Sequence, residues 1–220
     1  MPFAKRFLRV VGLSVLLAGC ATLTPPVSAP QGKDSTPTPV TKPAPRPVVV
    51  EPPVSAELQH DWNQAQTHFK EGRHKEAEQA FLALTRKAPR LSGPYASLGL
   101  LYQRAGRNTE AVTALEKAIE VNSGRALYYN ELGVLHRQDG KFELARKNYR
   151  KALDVDPDYA PAHLNLAILY DLYLQVPKDA LPHYQRYREL VPSEAAVVSK
   201  WILELERRLK AGNKPAKEGG

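Results

Sequence analysis

The chain has 220 residues, with 31 Lys and Arg against 23 Asp and Glu, 19 Pro and a single Cys. One cysteine excludes an intramolecular disulfide and any zinc site built from several cysteines. No run of 18 apolar residues occurs, which excludes an ordinary transmembrane helix. Ten of the prolines fall between Thr24 and Val54, so the chain divides into a proline-rich N-terminal part and a part that can fold.

The first twenty residues have the organisation of an export signal. Lys5, Arg6 and Arg9 form a basic start, and a short apolar run ends in Leu17-Ala18-Gly19-Cys20. This ending resembles the bacterial lipobox. The resemblance implies cleavage before Cys20, two fatty acyl chains such as palmitate on its thiol, and acylation of its freed amine, which together anchor a protein to a membrane. The alternative is a secretory signal with a chance cysteine.

Residue Ala21 follows the cysteine, where an inner-membrane lipoprotein of enterobacterial type carries Asp. This resemblance predicts an outer-membrane lipoprotein that faces the periplasm. Without residues 1–19 the chain keeps 28 Lys and Arg against 23 Asp and Glu, a mild positive charge that does not indicate nucleic-acid binding.

Residues 20–54 are predicted to be a disordered tether, because the segment holds ten prolines and no aromatic residue. Fully extended, the 34 residues over 21–54 would span roughly 105 Å at ~3.1 Å each. The tether either carries the folded part towards the cell-wall layer or is a passive linker. A proline-rich ligand for an SH3-like domain is a third alternative.

A period of 34 residues organises the rest of the chain. One set of positions is Leu98, Gly99, Tyr102, Gly106, Ala111 and Ala118, and 34 residues later stand Leu132, Gly133, His136, Gly140, Ala145 and Ala152. The pattern resembles the tetratricopeptide repeat, in frames 58–91, 92–125, 126–159 and 160–192 within a domain over 55–192. It implies an all-α, right-handed superhelical solenoid of four helix pairs.

Small and breaking residues support these frames. Gly99, Gly133 and Ala167 are expected where the two helices of a pair cross closely, and Gly72, Gly106 and Gly140 where the first helix ends in a left-handed residue. Pro89 and Pro157 are expected in the turns between repeats.

The fourth repeat departs from the period, since Ala180 and Tyr184 come one residue late. We therefore expect a longer connection over 173–178, with Asp179 as the cap of the next helix and Pro182 in its first turn. A capping helix is predicted over 193–211, with Val197, Trp201, Leu205 and Leu209 on its apolar side and Val198, Ile202 and Arg208 beside them. A flexible tail is predicted over 212–220.

No motif for catalysis, phosphate binding or a cofactor is present. His68 and His136 occupy positions usually held by a packed tyrosine, so the histidines do not indicate a metal site. The prediction is a non-enzyme without cofactor or metal.

In the tetratricopeptide-repeat family, the first helices line a concave groove that binds peptides. Carried over by position, the resemblance predicts groove residues Trp62, Gln66, Phe69, Lys70, Leu100, Gln103, Arg104, Asn130, Val134, Arg137, Ile168 and Asp171. The mixture of apolar and basic residues suits a peptide with some acidic character. Trp62 and Phe69 are the expected anchors, and Asn130 and Asn165 are expected to hold a peptide backbone. The alternative is a solvated inner face.

A tethered lipoprotein with such repeats resembles the outer-membrane lipoprotein activators of penicillin-binding proteins, which are peptidoglycan synthases. It also resembles pilotin lipoproteins that assemble type IV or tight-adherence pilus secretins. A third possibility is an adaptor for cell-wall hydrolases or proteases.

Overall fold

The computed structural model describes residues 50–212. The lipobox with Cys20, the tether up to residue 49 and the tail from 213 lie outside the described residues. Between residues 50 and 212, no helix combines the length and the apolar character needed to cross a membrane.

The described part is all-α, as predicted, and its helices form successive pairs that pack as a tetratricopeptide-like solenoid. The pairs are α1 (Ala56–Lys70) with α2 (His74–Lys87), α3 (Ser92–Arg104) with α4 (Asn108–Val121), α5 (Ala126–Gln138) with α6 (Phe142–Val155), and α7 (Ala160–Ile168) with α8 (Pro177–Leu190). A last helix, α9 (Ala195–Gly212), packs on α8.

Within a pair, the two helices approach so closely that only a small residue fits at the crossing. A Cβ atom added to Gly99 would lie 2.7 Å from Leu115 Cγ, and one added to Gly133 would lie 2.4 Å from the Tyr149 ring. Both large partners are almost fully buried. The expected close crossing at the two glycines is therefore confirmed.

The first helices of the first three pairs end as expected, in a left-handed glycine. Gly72, Gly106 and Gly140 have φ values of +73°, +72° and +72°. In the third pair, the Gly140 N–H donates to the Arg137 carbonyl and the Lys141 N–H donates to the His136 carbonyl. This double closure is the Schellman motif, which satisfies carbonyls that a helix end leaves free.

The one-residue delay of the fourth repeat arises inside its first helix. The prediction of a longer connecting loop is therefore wrong. A π-helical turn over Leu169–Tyr173 follows α7 directly, and the Val176 N–H reaches back six residues to the Tyr170 carbonyl. In the third repeat the corresponding bond spans five residues. The extra residue is thus absorbed by widening the helix, and Gln175 takes the left-handed position with φ +55°.

The cap predicted for the next helix is also wrong. Helix α8 begins at Pro177 after Val176, with no side-chain bond at its N-cap, and Asp179 lies in its first turn. Pro182 lies in the interior of α8 and not in the first turn. Pro177 suits the first helical position because the N–H that proline lacks has no helical partner there.

The end helix starts two residues later than predicted, after a 3₁₀ turn over Pro192–Glu194. Its buried stripe consists of Val198, Ile202 and Leu205, whereas Val197 and Trp201 are 51% and 43% exposed. Leu205 is therefore buried as predicted, and the centre of the buried side lies on Val198 and Ile202, which were predicted beside the stripe. The predicted stripe repeats every four residues, whereas an α-helix turns every 3.6.

The last residues of the predicted tether are folded. Glu51 and Pro52 are half-buried, and the Glu51 carboxylate accepts hydrogen bonds from Ser92 and Asn122. The prediction of disorder is wrong for this short segment.

A histidine pair, with His163 buried and His183 half-buried, joins α7 to α8. The Nδ1 atoms of His163 and His183 are 3.0 Å apart, and His163 Nε2 lies 2.9 Å from the Pro157 carbonyl oxygen. Because a carbonyl only accepts, His163 Nε2 carries a proton, and in the neutral ring His163 Nδ1 then accepts from His183 Nδ1. Burial, with added repulsion from His163 and Arg150, lowers the pKa of His183 to about 4.

We expect Gln175→Gly to stabilise the protein by about 1 kcal/mol, because a side chain strains the left-handed backbone. The reciprocal change Gly140→Gln should destabilise it by about 1–2 kcal/mol. Urea unfolding of both variants measures these effects as midpoint shifts at a constant slope. Equal stability of the two variants would contradict the assignment of strain to Gln175.

The histidine pair predicts an acid-sensitive stability. An ordinary histidine has a pKa of 6.5, so the unfolded chain takes up a proton as the pH falls towards 4 while folded His183 stays neutral. Stability should fall by roughly 2 kcal/mol over this range, after allowance for solvent screening. His183→Gln should flatten the profile of unfolding free energy against pH, and the exposed His60→Gln should not.

Candidate functional site

The first helices α1, α3, α5 and α7 lie side by side and share one surface, called here the first-helix face. Contacts between neighbouring repeats run along it. The Gln66 amide donates to Ser97 Oγ at 3.2 Å, and the Asn165 amide donates to Asn130 Oδ1 at 3.0 Å. The face is therefore a continuous surface built by all four repeats.

Trp62 is half-buried and has a packing role on this face. Its ring meets Phe81 edge-on with centroids 5.8 Å apart. A Cβ atom added to Gly93 would lie 3.1 Å from Trp62 Cη2, so the indole covers the start of α3. The expected anchor thus already holds the first two repeats together.

Phe69 lies further along α1, and an arginine side chain packs over its ring. The Arg104 guanidinium carbon is 4.3 Å from the centre of the Phe69 ring, within the range of a cation–π contact. Arg104 and the neighbouring Lys70 are both exposed. These two cations, with an aromatic ring beneath one of them, give this end of the face its positive charge.

Asn130, expected to hold a peptide backbone, is only 3% exposed. Its amide donates to Glu131 Oε1 at 3.0 Å while its oxygen accepts from Asn165. The expectation of direct contact is therefore wrong for Asn130, which instead orients the half-buried Asn165.

Burial raises the pKa of Glu131, and the hydrogen bond from Asn130 only partly offsets this rise. Sequence reasoning missed Glu131, because a lone carboxylate on a helix carries no signal of burial.

Arg137 is half-buried and bridges the third and fourth repeats. Its guanidinium donates to the hydroxyl of Tyr149 at 3.3 Å and to the hydroxyl of Tyr173 at 3.1 Å. Burial alone would lower the pKa of Arg137, but these hydroxyls raise it overall. Tyr173 belongs to the π-helical turn and is 41% exposed beside Leu172, which is 63% exposed.

Asp171 was expected in the groove, but in the structure it pairs with a residue of the end helix. Its side chain is 9% exposed, and its carboxylate accepts from the Arg208 guanidinium at 2.5 Å. Helix α9 therefore reaches back to the fourth repeat through this ion pair. Asp171 holds the end helix in place and is not free to meet a partner.

The remaining predicted residues lie between these contacts and are all half-buried: Leu100, Gln103, Val134 and Ile168. Val134 and Ile168 pack on the hydrophobic cluster of the third and fourth repeats. The face thus has an apolar floor with amide and cationic groups above it. This chemistry suits non-covalent binding of a polypeptide segment.

Groups suited to metal binding do not gather on the described part of the chain. Over residues 50–212, no three His, Cys, Asp or Glu side chains come close enough to hold an ion. Cys20, the predicted lipidation site, lies outside this range.

Comparison with known proteins identifies the repeats. Two models of the family described as "Tetratricopeptide repeat" match residues 90–158 and 130–195. A search of curated proteins gives no significant match.

Several solved structures share the fold. One is MamA, at 19% identity and a TM-score of 0.56, covering 74% of this chain and 98% of that one. PilF of Pseudomonas aeruginosa has 16% identity and a TM-score of 0.62, covering 70% and 69%. A mutant O-GlcNAc transferase of Thermobaculum terrenum has 25% identity and a TM-score of 0.56, covering 61% of this chain and 26% of that one.

These likenesses establish the fold of the repeats, and the transferase match is confined to about a quarter of that enzyme. The two family models show that residues 90–195 carry tetratricopeptide repeats, a kind of repeat that serves as a scaffold for protein–protein interaction.

Proposed function

We propose that the protein is a non-catalytic, lipid-anchored scaffold that binds a segment of a protein partner on its first-helix face. The observation that carries this proposal is the face itself, in which cross-repeat contacts fix an apolar floor while Lys70, Arg104 and Asn165 remain accessible. Side chains held in place before binding lose less entropy when a partner docks. The cations favour a segment with acidic residues.

The anchoring part of the proposal is supported by the lipobox ending at Cys20 and by Ala21 after it. These residues favour attachment to the outer membrane with the repeats in the periplasm. The proline-rich segment that follows would let the repeats act at a distance from the lipid.

Two envelope machines are candidates for the partner. A peptidoglycan synthase of the penicillin-binding class is favoured by the long proline-rich segment, which suits reach towards the cell wall. A pilus secretin is favoured by the fold shared with PilF over 70% of this chain. An adaptor for wall hydrolases or proteases remains the third candidate.

Site-specific photo-crosslinking in cells tests the face. A photoreactive residue in place of Lys70 should capture a partner, because this exposed position adjoins Phe69 and Arg104. The same probe in place of Lys75, an exposed lysine at the start of α2, is the matched control and should capture it far less.

Mass spectrometry of the adduct separates the candidates. A penicillin-binding protein would support the synthase role, and a secretin would support the pilus role. Adding Arg104→Glu to the Lys70 probe should abolish capture through charge repulsion. Capture that is equal at both lysines, or insensitive to Arg104→Glu, would contradict binding on the first-helix face.

Cys20→Ser tests the anchor separately. We expect this variant to move from the detergent phase to the aqueous phase on phase partitioning, because no acyl chain can attach. The matched variant Ala21→Asp should stay lipidated but move from outer-membrane to inner-membrane fractions. A Cys20→Ser protein that still partitions into detergent would contradict lipidation at this residue.

A further inference from the structure

A carboxylate of the N-terminal segment is held by polar side chains of two repeats. Glu51 Oε1 accepts from the Asn122 amide at 2.7 Å and from the Ser92 hydroxyl, and Glu51 Oε2 accepts from the Ser92 backbone N–H at 3.3 Å. The Tyr128 hydroxyl lies 2.8 Å from Ser92 Oγ. Because the Ser92 proton goes to Glu51, Tyr128 donates to Ser92, and the three groups form one chain of hydrogen bonds.

The side chains that surround this carboxylate are buried and oriented. Ser92 is 1% exposed, and Asn122 and Tyr128 are each 5% exposed. The Asn122 oxygen accepts from the Gly124 N–H at 2.9 Å, which turns its amide nitrogen towards Glu51. Buried polar groups need partners, and Glu51 supplies them here.

The polar set is particular to this junction of repeats. At the position of Ser92, the neighbouring repeats carry Leu58 and Ala126. At the position of Asn122, the next repeat carries Asp156, whose oxygen makes the same turn by accepting from the Asp158 N–H. Asp156 could make the turn but could not donate to a carboxylate, whereas Asn122 does both.

We propose that Ser92, Asn122 and Tyr128 form a carboxylate-binding site whose ligand is Glu51 of the same chain, and that this site latches residues 50–54 to the second and third repeats. The latch fixes where the proline-rich segment joins the array. That point lies beside α3 and the turn after α4, and not at the start of α1.

Electrostatics agree with a bound, ionised carboxylate. Burial by itself would raise the pKa of Glu51, but the bonds from Ser92 and Asn122 and the positive charge of Arg125 outweigh it, so the pKa lies below its ordinary value. The Ser92 N–H belongs to the first turn of α3, where an anion is favoured by the helix dipole. Val50 and Pro52 also border a cleft of about 230 Å³ against Pro89 and Val121.

Chemical rescue tests the site in the full-length chain. Glu51→Ala removes the atoms of an acetate ion and leaves the donors in place. We expect its thermal midpoint to fall by about 3 °C or more, and acetate at tens of millimolar to restore at least half of this loss. Sodium chloride at the same ionic strength should restore none of it.

Three comparisons make the test specific. Glu57→Ala removes an exposed carboxylate that pairs with Lys87 and should show neither loss nor rescue. Asn122→Asp keeps the turn and loses the donor, so it should lower the midpoint without acetate rescue. In NMR spectra, the Ser92 amide signal should shift in Glu51→Ala and return with acetate.

The contrary results are equally definite. Glu51→Ala with the stability of Glu57→Ala would show that no latch exists. Acetate that stabilises the wild type and Asn122→Asp as much as Glu51→Ala would show a general salt effect and overturn the binding site.

Discussion

The close crossing of the two helices in each repeat is the constraint on which the rest of the structure depends. In the second and third pairs a glycine faces a large residue across the crossing, Gly99 with Leu115 and Gly133 with Tyr149. In the first and fourth pairs the corresponding residues are buried in one hydrophobic cluster, Ala65 with Phe81 and Ala167 with Tyr184. Neither helix could bury the large side chain alone. Because the crossing repeats every 34 residues, the first helices stay side by side and their outward side chains form a single surface.

Side-chain contacts between neighbouring repeats help to organise that surface. Gln66 with Ser97, Phe69 with Arg104, and Arg137 with Tyr173 each join one repeat to the next. Side chains expected to await a partner therefore already have structural partners. The binding chemistry left available is that of exposed cations and half-buried amides. These groups form an extended surface and not a single deep pocket, and they suit an extended polypeptide segment with acidic groups.

The 34-residue period made most of the fold predictable, because it repeats the residues that steric constraints require. These are glycine where φ is positive and a small residue where two helices cross. Features outside the period were not predictable. Glu51 lies 41 residues from Ser92 and 71 from Asn122, in a segment whose composition indicates disorder. His163 and His183 meet across two helices, so no spacing on one helix marks them. Asp171 occupies a groove position, yet it forms an ion pair with Arg208 of α9, a helix outside the repeats.

The π-helical turn has a consequence for how such arrays tolerate changes in length. One residue inserted into an ordinary helix rotates everything after it by about 100° and would carry the apolar stripe of the next helix away from the core. The widened turn over Leu169–Tyr173 takes up the insertion locally, so that Ala167 and Tyr184 are still buried in the same hydrophobic cluster. The fourth repeat thus accommodates one extra residue while the apolar side of its second helix still faces the core. The π-helical turn is therefore a place where this array could gain or lose a residue without disturbing the core.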